Sequence, residues 1–336
     1  MNTSTSWIPW SLPDDTDNKQ IVRRPFMGTP VSQPKYIIIS PVKDEEKYIE
    51  TTIHAVLRQT ARPSKWVIVD DGSKDRTHEI AEAYARRFDW ITVVTIRRDA
   101  ARQPGSGIIR AFNEGFKLVR DLEFDFIVKL DCDIDFQPDY FEQVMKRFHE
   151  DKRLGIASGS YLERRRGKWA PIKMPAYHAA GQSKMVRMEC FREIGGFVAS
   201  RGWDSFDEIK AQVAGWKTRH FKAVRFYHLK LEGSGIGFLR TSMMLGENYY
   251  LTGGGPLFFA LKCAYYAFLA KPFLLGSVMM LVGYLKPLLV GKKKLATDTE
   301  AKFYRNLLNR RIVATISRIF PWPREIKAMR GGQDVG

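Results

Sequence analysis

Three aspartates follow an apolar stretch of this sequence within five residues. The segment FIVKLDCDIDF, residues 126–136, reads as a buried strand that continues into Asp131, Asp133 and Asp135. Carboxylates so close together repel one another, so water, a basic neighbour or a metal ion must compensate them. Mg²⁺ and Mn²⁺ prefer oxygen ligands, and alternate side chains of a strand point the same way. Asp131 and Asp133 are therefore candidate metal ligands, with a solvated turn as the structural alternative.

A second acidic pair, Asp70 and Asp71, follows the apolar stretch KWVIV and precedes Gly72. One of these carboxylates is placed to accept hydrogen bonds from a nucleobase or a ribose. The alternative is an Asx-type turn, in which the acid caps the following helix. With two acids at this position, each role has a candidate.

A third segment, PGSGIIRAFNEG, puts glycines ahead of a helical pattern. Gly107 lets the backbone approach a ligand closely, because a glycine carries no side chain. Arg110 follows about one turn into the helix, where it could face a pyrophosphate. An ordinary loop before an amphipathic helix is the alternative for this segment.

The elements that position these residues are strands alternating with helices. YIIIS, KWVIV, WITVV and FDFIV read as strands, and apolar residues at helical spacing follow each of the first three. This alternation predicts an α/β fold with a mostly parallel sheet, whose ligands lie beyond the carboxyl ends of the strands. Acids follow these strand ends, so we expect them to meet along one rim of the sheet. They are Asp44, Asp70, Asp71, Asp131 and Asp133.

Composition and charge limit the class of protein. The chain has 336 residues, 44% of them hydrophobic, which is enough for a core in one large domain or two. The formal net charge of +17 suits nucleic acid, an anionic membrane surface or phosphorylated substrates as partners. Three widely separated cysteines form no zinc or disulfide spacing and favour a reducing compartment. Residues 1–34 lack a signal-peptide pattern and read as an irregular tail.

The region from residue 241 to residue 336 is apolar and basic. Its uncharged run PFLLGSVMMLVGYL, residues 272–285, is 14 residues long, whereas a spanning helix needs ~20. Lys262, Lys271 and Lys286 interrupt the wider apolar stretch. Helices lying in the membrane interface, with their lysines reaching toward the headgroups, fit this pattern better than a span. The alternative is a buried C-terminal helix pair.

Taken together, these segments resemble the family 2 glycosyltransferases over roughly residues 36–230. The family shows a P-x-x-[ND]-E turn, a V-D-D-G-S strand end, an A-x-N-x-G helix and a D-x-D, in that order. One departure is Lys43-Asp44, where the family usually has a Tyr/Phe-Asn pair. The four motifs stand here at Pro41–Glu45, Val69–Ser73, Ala111–Gly115 and Asp131–Asp133.

The resemblance implies a GT-A fold with a catalytic domain over residues 35–240 and a nucleotide-sugar donor, UDP-sugars being favoured. Residues 35–135 would form its nucleotide-binding half and residues 136–240 its acceptor half. In the family, an acid of the D-D-G-S segment holds the base, and the first acid of the D-x-D lies near the ribose. The residues expected at the nucleotide-sugar are Pro41, Asp44, Glu45, Asp70, Asp71, Gly107, Arg110, Asp131 and Cys132.

The resemblance also implies a divalent metal, Mn²⁺ or Mg²⁺. The second acid of the family's D-x-D binds this ion, which assigns the role to Asp133, with Asp131 beside it. In related folds a histidine after a late strand completes the metal site, and His228 follows such a strand-like run. A structural histidine is the alternative for His228.

The catalytic base is implied in the second half of the domain. In the family an acidic pair opens a helix that ends in a Gly-aromatic pair, and one acid deprotonates the acceptor. Asp207-Glu208 opens such a helix, which ends at Gly215-Trp216. The order of the two acids is reversed relative to the family, and Asp204 lies nearby. The base therefore stays open among Asp204, Asp207 and Glu208, with a helix-start acid as the alternative for Glu208.

The expected activity is that of an inverting, metal-dependent glycosyltransferase at the cytoplasmic face of the cell membrane. Its acceptor would be a glycan or a lipid-linked molecule in polysaccharide or glycolipid synthesis, and anionic lipid would attract its basic surface. A sugar-phosphate nucleotidyltransferase shares the broad fold but needs a G-x-G-x-R loop where this chain has Pro41–Glu45. A nucleic-acid-binding protein needs base-reading or stacking motifs, which we do not find, so we expect no nucleic-acid partner.

Overall fold

A sheet flanked by helices on both faces organises this protein. Nine strands belong to that sheet in the part of the chain that the structure describes. The predicted irregular tail lies outside the described residues except for its last one, and so does the predicted basic segment after residue 319. The structure, a computed structural model, describes residues 34–96, 106–165, 167–230, 237–268 and 274–319.

Strands and helices alternate among the described residues up to Leu130, as the sequence predicts. They are β1 (Tyr36–Val42), α1 (Ile49–Leu57), β2 (Lys65–Asp70), α2 (Thr77–Ala85), β3 (Ile91–Thr95), α3 (Ser106–Lys117) and β4 (Phe126–Leu130). β1 pairs in parallel with β2 on one side and with β4 on the other, and β2 pairs in parallel with β3. The carboxyl ends of these strands therefore lie along one edge of the sheet.

The second half of the sheet mixes strand directions, so the prediction of a mostly parallel sheet is correct only for the first half. Its elements are β5 (Ile134–Phe136), α4 (Tyr140–Glu150), β6 (Leu154–Arg165), β7 (Lys168–Pro171), β8 (Ser183–Arg187), α5 (Met188–Glu193), α6 (Trp203–Val213) and β9 (Lys217–His228). β8 lies antiparallel between β4 and β6, and β9 runs parallel to β6 and antiparallel to β5. Only two residues separate β6 from β7, and so short a connection permits only an antiparallel pair.

Hydrophobic cores cover both faces of the sheet. Tyr36 and Ile38 of β1 pack with residues of α1, α2 and α4, whereas Ile37 and Ile39 pack with residues of α3 and α5. A strand buried on both faces reads as a continuous apolar run, which is why the sequence identifies it. Gly115 brings α3 close to the sheet, because a Cβ there would lie 2.7 Å from a β2 valine side chain.

Helices follow the sheet in the described C-terminal residues. They are α7 (Phe238–Leu251), α8 (Pro256–Phe268), α9 (Leu275–Leu289) and α10 (Asp298–Ile319). α7 and α9 touch backbone to backbone: a Cβ on Gly246 would lie 1.9 Å from the Met280 carbonyl oxygen, and a Cβ on Gly283 would lie 1.9 Å from that of Met243. The four C-terminal helices share a core that comprises Tyr249, Phe259, Met280 and Leu308, one residue from each helix.

The predicted apolar run, residues 272–285, falls mostly in α9. Within the described ranges, the helices are too short or too polar for any of them to cross a membrane. Exposed large apolar side chains are concentrated on α8 and α9. We call this surface the α8–α9 apolar face, and it comprises Leu257, Leu261, Tyr265, Phe268, Leu275, Val278, Leu281, Val282, Leu285, Leu288 and Leu289.

Candidate active site

A cleft opens at the carboxyl ends of β1, β2 and β4, the edge of the sheet to which the sequence assigns the ligand. The two strand-end turns, the first turn of α3 and the D-x-D segment line it, and we call it the strand-end cleft. Most of the residues predicted to contact the nucleotide-sugar or the metal meet here. They are Pro41, Glu45, Asp71, Gly107, Asp131, Cys132 and Asp133.

The two acids after β2 have separate environments. Asp70 is buried, and its Oδ1 accepts hydrogen bonds from the main-chain N–H of Ser73 at 2.9 Å and from its hydroxyl at 2.6 Å. Asp70 therefore stabilises the turn, as the Asx alternative predicts. Asp71 is half-buried and lines the strand-end cleft, so it is the acid of this pair that is placed to meet a ligand.

The turn after β1 is fixed by contacts on both sides. Asp44 has a φ of 54°, a conformation that Asp tolerates better than most residues, and its Oδ1 accepts a hydrogen bond from the Lys74 N–H at 2.8 Å. The Asp44 N–H donates to the Ser73 hydroxyl at 3.0 Å, so this residue joins two turns and does not line the strand-end cleft. Glu45 does line it, and its Oε1 accepts a hydrogen bond from Lys230 at 2.7 Å.

Arg110 is exposed on α3, where its guanidinium donates to the hydroxyl of Ser106 at 3.1 Å. It is not part of the lining of the strand-end cleft, whereas Gly107 of the same helix is. Of the two α3 residues predicted to approach the nucleotide-sugar, Gly107 therefore lies at the cleft, whereas Arg110 lies on the exposed side of the helix.

A buried lysine compensates the first acid of the D-x-D. Lys129 of β4 is only 2% exposed, and its ammonium donates to Asp131 Oδ1 and, at 3.0 Å, to the carbonyl of Gly181. Burial raises the pKa of Asp131, and the charge of Lys129 opposes that shift. Cys132 is buried between the two acids, and burial raises the pKa of its thiol, so it contributes packing rather than charge.

The second acid of the D-x-D lies beside His228. His228 Nε2 is 3.4 Å from Asp133 Oδ2, and its Nδ1 is 3.3 Å from Glu163 Oε1. Burial alone would lower the pKa of His228, but the hydrogen bond and charge of Asp133 raise it to about 9. Asp133 Oδ1 is buried and has no hydrogen-bond partner among the described residues.

This arrangement fits a hard divalent ion only in part. Among the described residues, no group of three or more His, Cys, Asp or Glu side chains is arranged to hold a metal on its own. The orphaned oxygen of Asp133 nevertheless has the chemistry that Mg²⁺ and Mn²⁺ prefer, and such ions usually complete their shell with substrate phosphates and water. Binding through His228 would also require loss of its proton.

Asp135, the third acid of the segment, points elsewhere. Its carboxylate pairs with Arg58, and the same guanidinium donates to the carbonyl of Phe136 at 2.8 Å. A basic neighbour thus compensates Asp131 and another compensates Asp135, which leaves Asp133 as the acid with an unsatisfied oxygen.

Two of the three candidate bases on α6 are buried. Asp207 and Glu208 are each 1% exposed, and Lys184 of β8 lies 3.1 Å from both carboxylates. Glu208 also accepts hydrogen bonds from His178 at 2.9 Å and from the Ala179 N–H at 2.7 Å. Burial raises the pKa of Asp207 above its ordinary value despite the charge of Lys184. We call Lys184, Asp207, Glu208 and His178 the buried ion cluster.

Asp204, the third candidate, is half-buried and lies beside Gly181. A Cβ built on Gly181 would be 3.9 Å from Asp204 Oδ2. The carbonyl of Gly181 accepts the hydrogen bond of Lys129, which in turn pairs with Asp131. Asp204 is therefore linked to the first acid of the D-x-D through Gly181 and Lys129.

The family model for glycosyl transferase family 2 matches residues 37–199. These residues are a family 2 glycosyltransferase domain. The resemblance read from the motifs is thus confirmed. Among proteins of similar sequence, the uncharacterized glycosyltransferase EpsJ of Bacillus subtilis is 36% identical over 94 residues, or 28% of this chain and 25% of EpsJ. The match therefore spans only a quarter of the length of that relative.

Solved structures share the fold of the glycosyltransferase domain. The mannosyltransferase PcManGT from Pyrobaculum calidifontis, in complex with GDP-Man and Mn²⁺, is 16% identical with a TM-score of 0.52, covering 90% of this chain and 92% of its own. GalNAc-T7 with UDP, GalNAc and Mn²⁺ is 14% identical with a TM-score of 0.55, covering 86% of this chain and 58% of its own. At such identities the likeness extends to the fold, and the sheet with its flanking helices agrees with GT-A.

The motifs do not identify the buried basic residues of this domain. Lys129 and Lys184 stand in strands, in the segments FIVKLD and SKMV, outside every motif. A lysine in an otherwise apolar strand is itself a signal, since a buried ammonium needs an acidic partner. Glu163 and Lys230 carry no such signal, because long-range pairing alone brings them to His228 and Glu45.

Proposed function

We propose that this protein transfers a sugar from a nucleoside-diphosphate donor to an acceptor hydroxyl with inversion at the anomeric carbon. The observation that carries the proposal is the strand-end cleft of a family 2 domain, in which Asp71 after β2 meets Asp131 and Asp133 after β4, with β1 between the two strands. In this proposal Asp71 accepts hydrogen bonds from the nucleobase, and Asp131 lies near the ribose.

A divalent metal, Mn²⁺ or Mg²⁺, belongs to the proposal. Asp133 would hold it through the oxygen that lacks a partner, with Asp131 and His228 beside it. When bound, such an ion stabilises the negative charge of the leaving diphosphate. Both structures of similar fold were solved with Mn²⁺, one with GDP-Man and the other with UDP, which supports the metal and makes UDP and GDP the nucleotides to test.

Asp204 is the base in this proposal. A general base must come within hydrogen-bond reach of the proton that it removes. Asp207 and Glu208 are committed to Lys184 beneath the surface, whereas Asp204 is half-buried next to Gly181. Asp204 would accept the acceptor's proton as the oxygen attacks the anomeric carbon, and a single displacement inverts that carbon.

The proposed place of action is the cytoplasmic face of the membrane, and the proposed acceptor is a glycan or a lipid-linked molecule. The α8–α9 apolar face supports this, because large exposed apolar surfaces mark sites of interaction. Its side chains recur every three or four residues along each helix, as in interfacial helices. Lys286 and the exposed Lys292, Lys293 and Lys294 stand at the end of α9, where anionic headgroups would attract them.

Donor turnover tests the proposed activity. The full chain is incubated with a panel of UDP- and GDP-sugars, with Mn²⁺, with Mg²⁺ or with EDTA, and released nucleoside diphosphate is measured. We expect one donor class to be consumed only with metal, and faster when a glycan or lipid-linked acceptor is added. Absence of metal-dependent release across the panel would refute the proposed function.

Liposome flotation tests the membrane proposal. The full chain should float with anionic vesicles, less with neutral ones, and a Val278→Glu/Leu285→Glu double variant should stay in the soluble fraction. Val313→Glu is the matched control, because Val313 is an exposed valine of α10 outside the α8–α9 apolar face. If the double variant floats as well as the parent, this face does not bind lipid.

A further inference from the structure

Two buried lysines face each other across neighbouring strands beneath the active site. Lys129 of β4 and Lys184 of β8 are register partners in the antiparallel pair, and their side chains are 2% and 0% exposed. Both ammonium groups lie over the ring of Trp203, at 5.5 and 5.2 Å from its centroid. Like charges placed so close together are costly unless each is paired and hydrogen-bonded. Each lysine therefore depends on its own acidic partners.

The partners of the two lysines belong to different sides of the site. The ammonium of Lys129 contacts Asp131, a lining residue of the strand-end cleft. The ammonium of Lys184 contacts Asp207 and Glu208 of the buried ion cluster. Trp203, which both ammonium groups approach, is the first residue of α6 and immediately precedes Asp204. The two lysines thus flank the residue at which α6 begins.

Lys184 has a further contact, with the residue proposed as the base. Its ammonium donates to the main-chain carbonyl of Asp204 at 2.5 Å. A lysine has three N–H donors, and here the carboxylates of Asp207 and Glu208 and this carbonyl engage all of them. No donor remains for a substrate, so any effect of Lys184 on the reaction must pass through its protein partners.

We propose that Lys184 is a positioning residue for Asp204. The proposal rests on the proposed function, in which Asp204 is the base. The buried carboxylates of Asp207 and Glu208 hold the ammonium in place, and the ammonium holds the Asp204 carbonyl. The main-chain carbonyl and the side-chain carboxylate near Gly181 both belong to Asp204. Holding the carbonyl in place therefore restricts where the carboxylate can lie. In this proposal Asp207 and Glu208, two of the three candidate bases, orient Asp204 and do not act as the base themselves.

The expected kinetic signature is a loss in the chemical step without a loss in donor binding. A displacement of a reacting group by ~1 Å can lower the rate about 10²-fold. The strand-end cleft, which binds the donor in this scheme, does not include Lys184. Lys184→Met should therefore lower kcat of transfer about 10²-fold and leave the KM for the donor unchanged.

A compensated variant separates positioning from charge balance. Lys184→Met alone leaves two buried carboxylates without their cation, and such a change can prevent folding. The triple variant Lys184→Met/Asp207→Asn/Glu208→Gln removes both sides of the ion pair, so no carboxylate of the pair is left without its cation. It lacks the hydrogen bond to the Asp204 carbonyl, so we expect it to fold and still transfer about 10²-fold more slowly than the parent.

Lys210→Met is the matched control. Lys210 lies on the same helix, and its ammonium also donates to a main-chain carbonyl, that of Ile194, away from the strand-end cleft. This variant should transfer at the parental rate. Loss of rate in both lysine variants alike would mean that any lysine anchoring α6 matters, and it would overturn the specific role of Lys184.

The decisive comparison measures kcat and donor KM for the parent, Lys184→Met, the triple variant, Lys210→Met and Asp204→Asn with one donor and acceptor. Slow transfer with normal donor KM in the triple variant supports the proposal. Parental transfer there overturns it, because charge balance would then be the whole role of Lys184. If Asp204→Asn keeps the parental rate, the base assignment falls and the positioning role falls with it. If the parent itself transfers no sugar, the proposed function fails instead.

Discussion

This chain has two acidic pairs that look alike in sequence and differ in their surroundings. Asp131 and Asp133 line the strand-end cleft, and one carboxylate oxygen of Asp133 has no hydrogen-bond partner in the part of the chain that the structure describes. Asp207 and Glu208 are 1% exposed, and both contact Lys184 at 3.1 Å. A buried acid whose lone pairs are satisfied contributes to the fold, whereas an unsatisfied one retains capacity for a ligand. The two pairs therefore differ in whether all of their carboxylate oxygens have hydrogen-bond partners, and not in their residue types.

The strongest test of this comparison is removal of the carboxylate proposed as the base. Asp204→Asn should lower the rate of transfer roughly 10²- to 10⁴-fold, because general-base catalysis contributes about that much. Binding of the nucleotide should not change, since the base acts on the acceptor. Initial rates with saturating donor and acceptor measure the effect, and Asp135→Asn, whose carboxylate pairs with Arg58, is the control. A parental rate in Asp204→Asn would return the assignment to Asp207 or Glu208.

The satisfied pair should reveal itself through stability. Asp207→Ala leaves Lys184 buried with one carboxylate fewer, and removing one partner of a buried ion pair costs about 3–5 kcal/mol. Urea unfolding followed by circular dichroism measures the loss. Glu79→Ala removes an acid from an exposed pair with Arg76 and should leave the midpoint where it is. An equal midpoint for Asp207→Ala and the parent would show that the buried ion cluster is not needed for folding.

The acid with the unsatisfied oxygen, Asp133, should reveal itself through ligand binding and not through stability. Asp133→Asn should weaken Mn²⁺-dependent binding of UDP by roughly 10- to 100-fold, the range found when a metal site loses a supporting group. Calorimetric titration with UDP in Mn²⁺ and in EDTA measures the difference. In EDTA the parent and the variant should bind alike. Equal affinities in Mn²⁺ would remove Asp133 from the metal site.

The smallest effect concerns an acid that is satisfied at the surface. Glu247 of α7 pairs with Arg201 and accepts a hydrogen bond from Lys292 at 2.8 Å. Partial burial opposes the shift, but these two cations hold the pKa of Glu247 below its ordinary value. A lowered pKa adds stability above the ordinary carboxyl pKa of about 4.3, and that stability is lost as the pH falls through the lower folded-state value.

Glu247→Gln should therefore lower the free energy of unfolding by about 1 kcal/mol at pH 7. The difference from the parent should shrink as the pH falls below about 4.3. Thermal melts from pH 7 down to the acid range measure it. A difference that stays constant over this range would mean that the carboxylate charge of Glu247 contributes nothing.

The sequence predicts the first half of the fold well because its strands are buried on both faces. YIIIS and KWVIV are continuous apolar runs, and their helices repeat apolar residues at helical spacing. The second half is harder because β6 and β9 mix environments along their length. β9 alternates exposed and buried residues at first, and β6 ends in two exposed arginines that continue into a hairpin. Such strands are defined by long-range pairing, which a local pattern does not contain.

The candidate site follows the same division. The motifs place Asp71, Asp131 and Asp133 correctly at the strand-end cleft, because strand ends of a parallel sheet share an edge. They do not tell Asp70 from Asp71, since only the turn geometry gives Asp70 to Ser73. The sequence does not distinguish the three acids of α6 for a related reason. Which of them is buried depends on Lys184, a residue of a strand that lies twenty positions earlier.

The reciprocal contact between α7 and α9 bears on where this chain can be cut. The backbone of α9 at Met280 packs against Gly246 of α7, and the backbone of α7 at Met243 packs against Gly283 of α9. Each helix therefore depends on the other for its packing. A fragment ending near residue 257 would keep α7 but lack α9. The backbone of α7 around Gly246 would then be exposed. Shortened versions of the protein should therefore end before Phe238 or retain α9 whole. In any other fragment, α7 would lack the helix against which it packs.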